Sequence, residues 1–214
     1  MSTPAPGDPS DLSPRGQRRR AQLLEALEAL LDDRPLAEIE IDDITRRAGI
    51  TRSGFYFYFP GKSAAVAALI DGVRDGILNL GVDWYDPEAP DGPAQIEVAI
   101  RNSVAFWREH ASLLVAMMDA AAVDEETRAD WDAMVTHLAA TFAEKFSRDP
   151  IASAQLARAG VAVDEFARLL LDSSVGVMER DVRSIVARGT PEPGLVAAML
   201  HLWQVAVWPP AERA

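Results

Sequence analysis

Residues 42–62 read DDITRRAGITRSGFYFYFPGK, and their spacing decides the fold. Residues 42–48 predict a short helix with Asp42 and Asp43 in its first turn, where negative charge suits the helix dipole. Ile44 and Ala48 are four apart and share its inward face. Gly49 supplies the left-handed backbone of a sharp helix exit. Ile50 plugs the turn, and Thr51 is placed to cap the next helix through its hydroxyl. That helix covers 52–59 and stops at Pro60, because the residue before a proline avoids helical geometry. Two short helices joined by a few residues that include a glycine are the signature of a helix-turn-helix.

The second helix carries more aromatics than a core needs. Phe55 and Phe59, four apart, face inward with Ile50. Tyr56, Phe57 and Tyr58 then point elsewhere, beside Thr51, Arg52, Ser53 and Gly54. Aromatics next to hydroxyls and an arginine suit a surface that meets phosphates and base edges. Arg46 and Arg47 add charge from the first helix. Lys62 lies where its ammonium and the free N–H groups of a third helix hold a phosphate. Taken alone, FYFYF also reads as strand or as plain core. The flanking Gly49, Thr51 and Pro60-Gly61-Lys62 select the DNA-binding reading.

This stretch resembles the signature of tetracycline-repressor (TetR) family transcriptional regulators. The matching residues are Ala48, Gly49, Ile50, Thr51, Tyr56, Tyr58, Phe59 and Lys62, preceded by DDRPLAEIEIDDI. The family usually has Ala at Thr45, Ser or Thr at Glu40, and Thr at Gly54. The resemblance implies an all-α fold: a three-helix DNA-binding domain, then a helical bundle that dimerises and holds an effector cavity.

Composition sets wider bounds. Apolar residues are 49% of the 214, enough for a substantial core. There is no cysteine, which excludes disulfides and thiolate metal sites and suits a reducing cytoplasm. No apolar run reaches the ~18 residues of a membrane span. The start, MSTPAPGDPSDLSP, has no signal-peptide pattern. Net charge is −12, but residues 1–62 carry nine basic and ten acidic groups, so the acid excess belongs to the remainder. Arg15, Arg18, Arg19 and Arg20 gather before the first apolar repeat, either as an arm that reaches DNA or as a solvated helix start.

Residues 1–14, with four prolines, are expected to be disordered. Leu23, Leu24, Leu27, Leu30 and Leu31 predict a helix over 15–32. Residues 15–62 are thus the DNA-binding domain and 63–210 the sensing and dimerising domain. Helices are expected at 61–80, 94–110, 112–122, 124–147, 151–159, 164–188 and 191–208, with a loop over 83–93. Gly72 and Gly76, inside the first of these, mark either close packing or a softened helix. Residues 195–208, LVAAMLHLWQVAVW, are apolar almost all round, so a second chain is expected to cover them. Leu195, Met199, Leu202 and Ala206 are the expected contacts of a two-fold homodimer.

No enzyme constellation is present. P-loop and GxGxxG motifs are missing, and His110, His137 and His201 lack metal-ligand spacing. No cofactor or metal is expected. The bundle helices carry Trp and Met residues that read equally as core or as the wall of an apolar pocket. The resemblance favours the pocket. It implies Ile96, Ile100, Ser103, Trp107, Leu114, Met118, Trp131, Met134, Val135, Leu138, Phe142, Ser174, Met178 and Trp203 as its lining. Few cations fall in this set, so the effector is expected to be neutral and apolar, with Ser103 or Ser174 free for one hydrogen bond. The resulting expectation is a repressor, released by that effector from a palindromic double-stranded operator. The competing class is a helical small-molecule-binding or catalytic protein with a vestigial motif, which a gel shift separates.

Overall fold

A computed structural model describes residues 12–82, 86–87 and 92–208. The expected disorder of the first residues, up to residue 11, lies outside the described residues, as does most of the loop expected over 83–93. The order is α1 (Pro14–Leu31), a single 3-10 turn (Leu36–Glu38), α2 (Ile41–Ala48), α3 (Arg52–Tyr58), α4 (Lys62–Val82) and α5 (Gly92–Glu109). Then follow α6 (Ala111–Ala121), α7 (Glu125–Arg148), α8 (Pro150–Ala159), α9 (Val163–Arg188) and α10 (Leu195–Val207). Among the described residues there is no strand. Backbone contacts divide the chain into two units, residues up to 73 with 112–129, and residues 74–111 with those from 130 on. The unit that holds the motif therefore extends past residue 62, to the first half of α4 and most of α6.

In the first unit α1 packs on α2, and α2 on α3. Leu23, Leu27, Ile44, Phe55 and Val66 are closed to solvent. Burying each such side chain contributes about 1.5–3 kcal/mol. Helix α1 starts on Ser13, whose hydroxyl accepts the Gly16 N–H, with Pro14 at its first position. Helix α3 stops one residue earlier than expected. Phe59 is already extended, at φ −137° and ψ 127°, which Pro60 after it requires.

In the second unit α10 packs against α5, α8 and α9, and α5 against α9. Ile96, Ile100, Val104 and Trp107 form the buried stripe of α5, and Met134, Val135, Leu138, Phe142 and Phe146 that of α7. Gly76 sits against Phe106: a Cβ there would lie 2.8 Å from the ring edge, which is the close packing foreseen for this glycine. The Gly72 side of α4 lies outside the described residues. Helix α10 begins four residues later than the pattern suggested. Pro193 biases Glu192 out of helical geometry, and Gly194 takes φ 74°.

Two dimer-contact expectations are corrected here. Leu195 and Met199 are buried inside their own chain, in line with Trp203 and Val207. Leu202 remains exposed and Ala206 half-exposed, on another side of the helix. In an apolar helix every stripe looks the same in sequence, and packing against α5, α8 and α9 selects one.

Candidate functional site

The motif is built by its turn chemistry. Gly49 ends α2 at φ 67°, and Thr51 caps α3 by accepting the Gly54 N–H at 3.2 Å. A Cβ on Gly54 would lie 2.7 Å from Cγ2 of Ile50, so the turn admits no ordinary side chain without shifting. Glu40 occupies the cap position of α2 in place of a hydroxyl residue. Asp43 serves instead: its carboxylate accepts the Glu40 N–H at 3.1 Å and pairs with Arg34 at 2.8 Å and Arg46 at 3.1 Å. The Glu40 N–H, then the two guanidiniums, hold the Asp43 carboxyl below its ordinary range.

Helix α3 divides by face. Phe55 and Phe59 are buried, while Phe57 is 65% and Tyr56 47% exposed. Arg46, Arg47, Thr51, Arg52 and Ser53 are exposed, and Gly54 and Tyr58 half-exposed. These exposed and half-exposed groups supply aromatic faces, hydroxyls and three guanidiniums, the equipment for phosphate and base-edge contact. Arg20 is occupied differently, with its guanidinium 5.2 Å from the Phe59 ring centroid. This contact serves packing of α1 rather than a free arm.

Lys62 is already engaged within the chain. Its ammonium donates to the carbonyls of Leu36, at 3.0 Å, and Ile39. Two of its three hydrogens thus tie α4 to the chain between α1 and α2. That sequence-distant pairing has no local pattern to announce it.

The second unit holds an apolar cavity of about 80 Å³. Of the residues expected to line it, Ile100, Ser103, Trp107, Trp131, Met134, Val135, Leu138, Phe142, Ser174, Met178 and Trp203 do so. Ile96 is buried in the same unit but lines no part of the cavity. Leu114 and Met118 fall in the first unit, on α6. Ile77, Leu80, Leu171, Val175 and Met199 line the cavity without having been foreseen. Their helical spacing was visible, but many other buried residues share it.

The wall is aromatic at two places. Trp107 meets Trp131 edge-on at 6.2 Å between centroids, and Phe142 meets Trp203 at 5.7 Å. Such pairs are worth about 0.5–1.5 kcal/mol each beyond burial. Ser174 is not free for a ligand as a donor. Its hydroxyl donates to the Leu170 carbonyl at 2.8 Å and accepts the Trp203 indole N–H at 3.0 Å. Ser103 is the lining hydroxyl left without a partner among the described residues. Pockets that bury small-molecule ligands have volumes of roughly 300–1,000 Å³. The cavity is well below that size, and aromatic side chains form much of its wall.

Sequence reasoning missed the buried acids Asp149 and Asp181. Asp181 on α9 is 1% exposed and accepts two hydrogen bonds from Arg108, at 2.7 and 3.2 Å, and the Glu192 N–H at 2.6 Å. It holds α5 and the segment before α10 on α9. Asp172 and Glu179 instead make ordinary surface pairs with Arg168 and Arg183. Among the described residues no group of His, Asp or Glu could hold a metal ion, and no helix is long and apolar enough to cross a membrane.

Residues 23–69 match the family model for bacterial regulatory proteins of the tetR family. The HTH-type transcriptional regulator EthR of Mycolicibacterium smegmatis is 29% identical over 204 residues, covering 91% of this chain and 88% of that protein. EthR of Mycobacterium tuberculosis H37Rv is 50% identical over 60 residues, 28% of each chain. In fold, the chain is similar to a TetR transcription regulator from Haloarcula marismortui. The TM-score is 0.60 at 13% identity, over 89% of this chain and 97% of that one.

Proposed function

We propose that this chain, a TetR-family helix-turn-helix transcriptional regulator resembling EthR, is a homodimeric repressor that a neutral apolar molecule releases from a palindromic operator. The observation that carries the ligand response is the cavity. Its wall is almost wholly apolar, and Ile77 and Leu80 of α4 form part of it. Helix α4 is one unbroken helix whose other end is Lys62, next to the motif. A molecule that enlarges the cavity must move its wall, and a ligand shifts an equilibrium by its difference in affinity for the two states. By linkage, DNA weakens the ligand by the factor that the ligand weakens DNA.

Dimerisation is supported by the outward side of the last two helices. Leu169 is 67% exposed, and Leu202 and Val205 are 44% and 46% exposed. A two-fold axis beside α9 and α10 would cover them in a four-helix contact. Replacing Leu202 by Glu places a charge in that contact and should give monomers in analytical ultracentrifugation, with loss of operator affinity.

On DNA, Arg52 and Ser53 at the start of α3 read bases, the end that does so in this motif. Arg47, Tyr56 and Tyr58 hold phosphates. The test of the whole reading is DNA anisotropy with titration of neutral apolar compounds, N-phenyl-1-naphthylamine first. Operator release by a compound that enhances its own fluorescence on binding supports it. Cavity saturation with unchanged DNA affinity refutes it.

A further inference from the structure

Arg52 is held before any DNA arrives. Its Nη1 donates to Oδ1 of Asp42 at 2.7 Å, and its guanidinium carbon lies 5.8 Å from the Tyr56 ring centroid. Both partners of the ion pair are open to solvent, with side chains 56% and 58% exposed. The pair bridges the two helices of the motif, because Asp42 sits in the first turn of α2 and Arg52 opens α3. The Asp42 carboxylate, then Tyr56, raises the Arg52 pKa.

The two neighbouring acids divide their work. Asp43 carries the helix start, through the Glu40 N–H, and pairs with Arg34 and Arg46. Among the described residues the Asp42 carboxylate makes no capping bond and pairs with Arg52. An arginine on a DNA-facing surface has two competing targets. Phosphates attract it anywhere on a duplex, whereas a guanine edge accepts two of its donors in a fixed geometry. A carboxylate beside the guanidinium acts against the first target, since it cancels the charge and repels phosphate. It favours the second, since it engages Nη1 while the Arg52 side chain stays 56% exposed. The Tyr56 face restrains the plane. Fewer rotamers then remain to be lost when the base contact forms.

We propose that Asp42 is the positioning residue for base readout: its carboxylate holds the Arg52 guanidinium against Tyr56 in the orientation that reads a guanine, and keeps it from pairing with phosphate. The proposal rests on Arg52 being a base reader, and its test separates the two claims.

The experiment uses the full chain. Binding sites are first selected from a random duplex library with the wild type. Affinities follow by anisotropy for Asp42→Asn, Arg52→Ala and the double variant. The duplexes are the selected site, the same site with each G·C pair replaced in turn, and a random duplex. For Asp42→Asn, random-duplex binding should tighten several-fold and its salt slope should steepen by about one. Discrimination at the pair that Arg52→Ala loses should fall by about tenfold. In the Arg52→Ala background, Asp42→Asn should change nothing at that pair. Thermal midpoints of wild type and Asp42→Asn should agree, since Asp43 carries the cap. Uniformly tighter binding with discrimination kept would reduce Asp42 to a repulsive charge and overturn the proposal. Uniformly weaker binding with a lowered melting point would make it a fold residue, and overturns it as well. If Arg52→Ala loses discrimination nowhere, base reading by Arg52 falls and the positioning role falls with it. If Arg52→Ala loses it and Asp42→Asn does not, only the positioning role falls.

Discussion

Trp203 donates its indole N–H to the Ser174 hydroxyl at 3.0 Å, inside the cavity wall, while Ser174 gives its own proton to the Leu170 carbonyl. The chain of bonds fixes the Trp203 ring against Phe142 and joins α10 to α9. Ser174→Ala removes an acceptor from a buried N–H, which costs about 1–3 kcal/mol. The thermal midpoint should therefore drop. Ser103→Ala, which breaks no bond within the chain, should change stability by no more than about 0.5 kcal/mol. A calorimetric comparison of the two variants checks this.

Lys62 gives a second test, because its two protein acceptors predict a fold role. Lys62→Ala removes both bonds to the Leu36 and Ile39 carbonyls and should lower the midpoint without DNA present. A loss of about 1–3 kcal/mol fits a charged donor tied to carbonyls. If the melting point is unchanged and only DNA affinity falls, Lys62 is the phosphate contact that its place in the sequence suggests.

Gly76 should resist substitution in spite of helix propensity. In an open helix, Gly to Ala gains about 1 kcal/mol. Here the new methyl would stand 2.8 Å from the Phe106 ring. Gly76→Ala should therefore destabilise, and Gly76→Ala with Phe106→Leu should recover part of the loss. A double-mutant cycle in urea measures that coupling.

Breaking the pair between buried Asp181 of α9 and Arg108 of α5 should cost more than any of these changes. Asp181→Ala leaves Arg108 without its carboxylate and the Glu192 N–H without an acceptor, a loss of about 3–5 kcal/mol. Arg188→Ala, at an exposed pair with Glu192, should cost less than about 1 kcal/mol. Equal melting points for the two variants would contradict the burial argument.

Acid should loosen the motif through Asp43. Its folded pKa lies below the ordinary 3.8, so its contribution is complete well above that value. The contribution disappears as pH falls through the lowered folded pKa. The melting point of the wild type should be flat near neutrality and drop below about pH 4. Asp43→Asn should start lower at neutral pH and lose less on acidification.

What the sequence by itself determined is local. Gly49, Thr51 and Pro60 set the turn, the cap and the stop of the motif through backbone geometry within a few residues. The 3.6-residue repeats of apolar side chains placed the helices for the same reason. Phe55 and Phe59 inward, with Tyr56 and Phe57 outward, followed from that period. Tertiary structure decided everything that depends on partners far along the chain. It chose Leu195, Met199, Trp203 and Val207 as the inner stripe of a helix that is apolar all round. It bound Lys62 to carbonyls more than twenty residues away and buried Asp181 against Arg108, 73 residues distant. It also brought Ile77 and Leu80 into the cavity wall. Periodicity states that a side chain faces some interior. Only the packing of helices states which interior, and whether a charge finds its counter-charge there.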